Sequence, residues 1–292
     1  MGYVYLALCA LITPTQNVLK KTYSKHCQRG AYVFSVYQTA AASLFFALMA
    51  LLGGGYAFEW GALPYSVAFG VGYAICTLSA TVAIFVGSMA LTALMVSYSL
   101  MIPTVYGFLF WGEPFTWLVA IGLSLLAVSL FLVNAPVKKK TDGAEHVRSL
   151  FSVKWLILAV LALVCNGALS VIQKEQQIRF DGAYKNEFML ISMLIACMCL
   201  SLIMLKDRGA IRDCFRVGLV MGGSCGVLNA AMNLMVMLAI ALLPATVFYP
   251  VLSGAGTVFS YLIAMIFYKE RFTMRQHLGI LCGVASLIVL NL

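Results

Sequence analysis

The sequence predicts an all-α membrane protein whose ten transmembrane helices form two inverted five-helix repeats. Three observations carry that expectation: a composition too apolar for water, ten apolar runs of spanning length, and a pattern in residues 113–134 that returns 157 positions later.

The chain of 292 residues is 63% hydrophobic and 10% charged, against about 45–50% apolar and about 25% charged in a soluble domain. Its 29 charged side chains (19 basic, 10 acidic) are too few to cover a water-facing surface. Soluble, disordered, collagen-like and disulfide-scaffold classes are excluded on the same ground. At roughly 20 residues per span, the length accommodates the ten runs and no separate soluble domain. The net charge of +9 reads as topology and not as a nucleic-acid footprint, because every Lys and Arg lies between apolar runs or at their ends. Most of the nine cysteines (Cys9, Cys76, Cys165, Cys197, Cys199, Cys225, Cys282) sit inside apolar stretches, where thiols act as small core residues. Without a CxxC pair or clustered histidines, neither disulfide, metal nor other cofactor is expected. The first run starts at Gly2 with no basic segment before it and reads as a retained span.

The runs fall at about 3–22, 31–52, 64–86, 88–111, 115–134, 154–174, 186–205, 215–239, 243–267 and 275–291. They must be helices, since lipid offers no partner to backbone amides. Gly87 and Ser88 alone separate spans 3 and 4, and the Ala241–Pro244 corner separates spans 8 and 9, so both pairs read as tight hairpins. The linker 135–153, with Lys138, Lys139, Lys140, Asp142, Glu145 and Arg148, divides a first unit, 1–134, from a second, 154–292.

The two units echo each other. At an offset of 157, Glu113/Glu270, Phe115/Phe272, Thr116/Thr273, Gly122/Gly279, Ser129/Ser286, Leu130/Leu287 and Asn134/Asn291 coincide, seven identities in 22 positions. Earlier, Val18-Leu19 and Lys21 precede Gly30-Ala31-Tyr32 as Val171-Ile172 and Lys174 precede Gly182-Ala183-Tyr184, with Gly70 and Gly222 nearly in step. Five spans is an odd number, so the second copy enters the membrane from the opposite face. That is the inverted-repeat design, which places a transport site near the midplane. Loops on the side of the termini hold three Lys or Arg and those opposite hold sixteen, so the positive-inside rule puts both termini outside. Cys27 and Cys214 are then loop cysteines on the reducing side.

All ten carboxylates lie in loops or at helix ends, which disfavours coupling through a midspan acid. The spans offer neutral polarity instead. Thr13-Pro14-Thr15-Gln16-Asn17 interrupts span 1, and its proline removes a backbone hydrogen bond. Asn166, Ser170 and Gln173 are the counterpart in span 6. Gln38 lies in span 2, Thr77 with Ser79 and Thr81 in span 3, Tyr98 beside Ser97 and Ser99 in span 4, and Tyr249 in span 9. Asn229 and Asn233 are four apart and share a face of span 8. Candidate substrate-binding residues are Gln16, Asn17, Gln38, Thr77, Tyr98, Asn166, Asn229, Asn233 and Tyr249. Hydrogen bonds to neighbouring helices, about 0.6 kcal/mol each, are the competing role. Gly218, Gly222 and Gly226 put small residues on one face of span 8, where another helix can approach closely. Glu113 and Glu270 read as helix-opening carboxylates. Lys20, Lys21 and Lys174 end spans 1 and 6, where they snorkel to the interface or attract an anion. Catalysis would need a nucleophile with a base, or a metal cluster; neither a midspan histidine nor a carboxylate pair exists, and no enzyme activity is expected.

The doubled pattern, Gly112-Glu113-Pro114-Phe115-Thr116 with Gly122 and Lys269-Glu270-Arg271-Phe272-Thr273 with Gly279, resembles the EamA-type branch of the drug/metabolite transporter superfamily over essentially the whole chain. The resemblance implies a carrier for amino acids, other small metabolites or drugs, with a central cavity lined by spans 1, 3, 4, 6, 8 and 9. It also implies cytoplasmic termini, against the charge count. Two positions depart from the family pattern: Pro14-Thr15-Gln16-Asn17 replaces a Trp-Gly of the first span, and Gln38 replaces a basic residue of the second. The reading is an alternating-access carrier in the cell (plasma) membrane, the alternatives being a flippase for a lipid-linked intermediate or a non-transporting scaffold. The partners expected are a small-molecule substrate and the lipid bilayer, with a homodimer as the assembly considered and no nucleic acid.

Overall fold

The computed structural model describes residues 2–27, 30–52, 59–111, 116–134, 153–205, 208–240, 259–267 and 273–289. Among them the regular structure is helical throughout, without a strand. The helices are α1 (Gly2–His26), α2 (Ala31–Leu52), α3 (Leu63–Val86), α4 (Met89–Ser97), α5 (Met101–Phe110), α6 (Trp117–Asn134), α7 (Val153–Arg179), α8 (Lys185–Met204), α9 (Arg208–Ile240), α10 (259–266) and α11 (Met274–Val289). Among the described residues, six stretches are long and apolar enough to cross a membrane: Ala31–Leu52, Trp60–Val86, Met89–Gly107, Val153–Arg179, Lys185–Met204 and Gly209–Leu238. The linker over 135–152, the 241–244 corner, Glu113, Glu270 and Tyr249 lie outside the described residues.

The outer faces are apolar at helical spacing, the inverse of a soluble protein. Leu44, Leu48 and Leu52 form such a stripe on α2, and Leu194, Met198 and Leu202 one on α8. Inside, Phe46, Phe69, Phe188, Met189, Met193 and Met237 close the core where α2, α3, α8 and α9 meet.

Helix pairing is reciprocal. α1 packs on α9 as α7 packs on α3, α2 on α9 as α8 on α3, and α2 and α8 pack on each other. α6 packs on α11 through a reciprocal pair of hydrogen bonds: Ser129 Oγ donates to the Gly279 carbonyl, and Ser286 Oγ donates to the Gly122 carbonyl at 2.6 Å. Contact position rises along α6 as it falls along α11, so these two helices run antiparallel.

Local chemistry sets the helix ends. Thr116 and Thr273 stand immediately before α6 and α11. Thr273 and Gln276 form a capping box, with Thr273 N donating to Gln276 Oε1 at 2.9 Å and Gln276 N to Thr273 Oγ1 at 3.4 Å. Gly87 and Ser88 make the two-residue α3–α4 corner. There Ser88 Oγ accepts from Leu91 N at 3.3 Å, and the Lys21 ammonium donates to the Gly87 and Ile84 carbonyls at 2.8 and 3.3 Å. A cation at a helix C-terminus also matches the macrodipole. A side chain at Gly87 would collide with the Trp155 ring, which a Cβ would approach to 2.3 Å.

Three expectations need correction. The fourth span is two helices, α4 and α5, joined by a 3-10 turn at Tyr98–Leu100. Pro103 has no N–H to offer the Ser99 carbonyl four residues back, which removes the α-helical bond at that turn. Cys214 is not a loop residue: α9 begins at Arg208, and Cys214 is buried with Cys27 against Tyr23. Apolar runs mark the bilayer, whereas helices continue into the interface as long as their backbone bonds close. Lys20, one of the sixteen basic residues counted on the side opposite the termini, lies within α1 and is buried at 8% exposure.

The glycine face of α9 lies on α2. A Cβ at Gly222 would come within 2.9 Å of the Phe34 carbonyl, and one at Gly226 within 2.2 Å of the Gln38 carbonyl, whereas one at Gly223 would meet nothing within 4 Å. Gly226→Leu is therefore expected to cost about 1–3 kcal/mol through overpacking, read as a lower Tm of the detergent-solubilised protein, while Gly223→Ala leaves Tm unchanged or raised. A Gly226→Leu variant as stable as the parent would show that the contact is not tight.

Candidate functional site

A cavity of about 240 Å³ lies between the helices. Each contributing helix offers one face at helical spacing. α1 gives Thr13, Gln16, Asn17 and Lys20; α3 gives Tyr73, Cys76, Thr77 and Ala80; α9 gives Asn229, Met232, Asn233 and Val236. α7 adds Asn166, Ser170 and Gln173, α2 adds Gln38, and α4 adds a stretch around Thr92 and Ser97. Positions 13, 17 and 20 of α1 recur as 166, 170 and 173 of α7 at an offset of 153, the spacing of Lys21 to Lys174. The α3 and α9 faces match position for position at an offset of 156.

A chain of neutral hydrogen bonds ties these faces together. Gln38 Nε2 donates to the Tyr73 hydroxyl at 3.3 Å, and that hydroxyl donates to Asn229 Oδ1 at 2.6 Å. Asn233 Nδ2 donates to the same oxygen at 3.0 Å, and Asn229 Nδ2 reaches Gln16 Oε1 at 3.5 Å. Asn17 Nδ2 donates to Ser260 Oγ of α10 at 3.2 Å. Asn166 Nδ2 donates to Ser99 Oγ at 2.6 Å, at the break between α4 and α5. Among the described residues, two buried lining atoms have no partner, Gln38 Oε1 and Gln173 Nε2. Among the described lining residues there is no carboxylate, and Lys20 is the one cationic side chain.

Seven of the nine candidate residues therefore share one cavity: Gln16, Asn17, Gln38, Thr77, Asn166, Asn229 and Asn233. Tyr98 is buried elsewhere. Its hydroxyl pairs with Ser129 Oγ, and its ring packs with Leu94, Trp155 and Ile280. Tyr249 lies outside the described residues. The sequence reading does not single out Tyr73, the bridge from α2 to α9; its place four residues before Thr77, on the same face, is the signal that would find it. At the end of α5, Trp111 Nε1 donates to Glu175 Oε1 at 2.7 Å, and Lys174 Nζ lies 3.8 Å from the Trp111 ring centroid. This tie joins the end of α5 to α7. Among the described residues no three His, Cys, Asp or Glu side chains gather as a metal site requires.

Comparison with known proteins agrees with this architecture. Residues 153–292 match the EamA-like transporter family. The multidrug resistance protein EbrA of Bacillus licheniformis is 33% identical over 58 residues, 20% of this chain. That match spans 55% of the relative's own length, so the chain covers about half of it. A solved crystal structure aligns over 99% of this chain and 95% of its own with a TM-score of 0.64 at 14% identity, a likeness of fold. Together with the apolar helices, these matches make the chain an integral membrane protein whose residues 153–292 are similar to the EamA-like transporter family.

Proposed function

We propose that the chain is an alternating-access carrier for a small organic solute in the cell membrane, built of ten spans in two inverted units, 1–134 and 154–292, joined by the basic linker 135–153. The observation that carries the reading is the cavity: neutral amides and hydroxyls from both units converge on a space that holds on the order of ten non-hydrogen atoms, scaling from the about 150 Å³ that takes one benzene. Gln16, Asn17, Gln38, Thr77, Asn166, Asn229 and Asn233 are its proposed contacts, with Tyr73 and Gln173. A polar cavity midway along membrane helices is stable only around water or a ligand.

The reciprocal Ser129 and Ser286 bonds support the inverted repeat. A contact in which each copy gives the other the same pair of groups implies a two-fold relation. Because α6 and α11 run antiparallel, that axis crosses them and does not follow them, as inversion in the membrane requires. Two units so related have two mirror arrangements, one open to each side. Without Lys20, fifteen basic residues face three, so the charge rule still favours termini outside.

Purified protein in proteoliposomes is expected to give saturable uptake or efflux of at least one solute from a panel of amino acids, sugars, nucleobases and cationic dyes. Folded protein that moves and binds none of them would overturn the carrier reading. Asn229→Ala and Tyr73→Phe each remove a link of the polar chain and are expected to lower kcat/KM about tenfold or more at near-parental yield. Equal losses of transport and folded yield would assign these residues to packing alone.

A further inference from the structure

Lys20 is the polar residue of the cavity that helix packing explains least. It sits at 8% exposure in α1, among the lining residues, and none of the described residues accepts a hydrogen bond from it or forms an ion pair with it. Its neighbour Lys21 differs, with two carbonyls at the α3 C-terminus. It lines the cavity together with Tyr73, Cys76 and Thr77 of α3 and Asn229 and Asn233 of α9. A charged group taken out of water needs a counter-group or costs several kcal/mol, and an ionisable residue at membrane depth is a functional candidate for that reason.

Two fully buried lining atoms without a partner accompany it. Gln38, 1% exposed, gives its Nε2 to Tyr73 and leaves Oε1 without a donor; Gln173, 6% exposed, leaves Nε2 without an acceptor. Gln173 occupies in α7 the position that Lys20 occupies in α1, at the 153-residue offset. Among the described residues the cavity thus presents one cation, one spare donor and one spare acceptor, with no carboxylate in the lining.

From this set we infer that the transported solute is a small organic carboxylate that also carries an N–H or O–H donor, with Lys20 as the contact for its anionic group. The inference rests on the carrier reading above. Lys20 holds the carboxylate, Gln38 Oε1 accepts from the solute's donor, and Gln173 Nε2 donates to a further oxygen. A single ammonium matches a single negative charge, whereas phosphate sites gather several Arg or Lys donors. A cationic solute with no anionic group of its own would meet the Lys20 charge without a carboxylate among the described lining residues to offset it.

The test uses proteoliposomes of the full chain and matched pairs of solutes: L-lactate, L-serine and L-phenylalanine, each beside its primary amide, with glycerol 3-phosphate and a quaternary-ammonium dye as further arms. At least one acid is expected to move with kcat/KM about tenfold or more above its amide. Lys20→Gln is expected to lower that value about tenfold or more, chiefly through KM, and Lys20→Arg to restore most of it. Equal rates for acid and amide overturn the inference and leave the carrier reading standing, as does movement of the phosphate ester or the dye in place of every acid. Movement and binding of nothing in the wider panel overturns both. If Lys20→Gln fails to fold, the acid-to-amide ratio of the unmodified protein still decides.

Discussion

Within the hydrocarbon of a bilayer a polar side chain cannot face outward, because no solvent there replaces its hydrogen bonds. Every amide and hydroxyl at membrane depth must find another helix, a ligand or enclosed water. Here that constraint sorts the helix faces: leucines and methionines form the outer stripes of α2 and α8, while Gln16, Asn17, Gln38, Asn166, Asn229 and Asn233 turn inward. Because several helices each bring a polar face, their inward sides meet around a space and not as a sealed hydrocarbon seam.

What fills that polar space is mostly neutral. A fixed carboxylate at the same depth would demand a cation or a proton, whereas amides accept and donate at modest cost in either form. Tyr73 and Asn229 bridge α2, α3 and α9 through single hydrogen bonds, each worth about 0.6 kcal/mol in membrane proteins. Bonds of that size can be exchanged for bonds to a solute without unfolding the bundle. The close glycine contact of α9 on α2 is the opposite kind of join, built on backbone proximity, and holds those two helices together.

The sequence made much of this legible through repetition. Gly122/Gly279 and Ser129/Ser286 stand out as identical pairs because each donates or accepts the same bond across α6 and α11. Thr116/Thr273 recur because both positions open a helix. The polar faces of spans 1 and 8 are legible from their spacing alone. Other features escape sequence because they depend on which helices become neighbours. Tyr98 has the spacing of a lining residue, yet α6 supplies Ser129 as its partner and draws it away from the cavity. Tyr73 reads as an aromatic packing residue until α2 and α9 are placed on either side of it. Lys20 reads as an end-of-span cation because hydropathy sees a run ending, while the helix continues to His26 and turns that side chain inward.

The claim on which the rest depends is that one cavity is reached from both sides of the membrane in turn. The direct measurement places a single cysteine at Gln16 or Asn233 in a cysteine-free background and follows its modification by a membrane-impermeant thiol reagent added to one side or the other. Labelling from each side is expected, with a transported solute shifting the balance between them. Labelling from one side only, under every condition in which the protein carries solute, would contradict it.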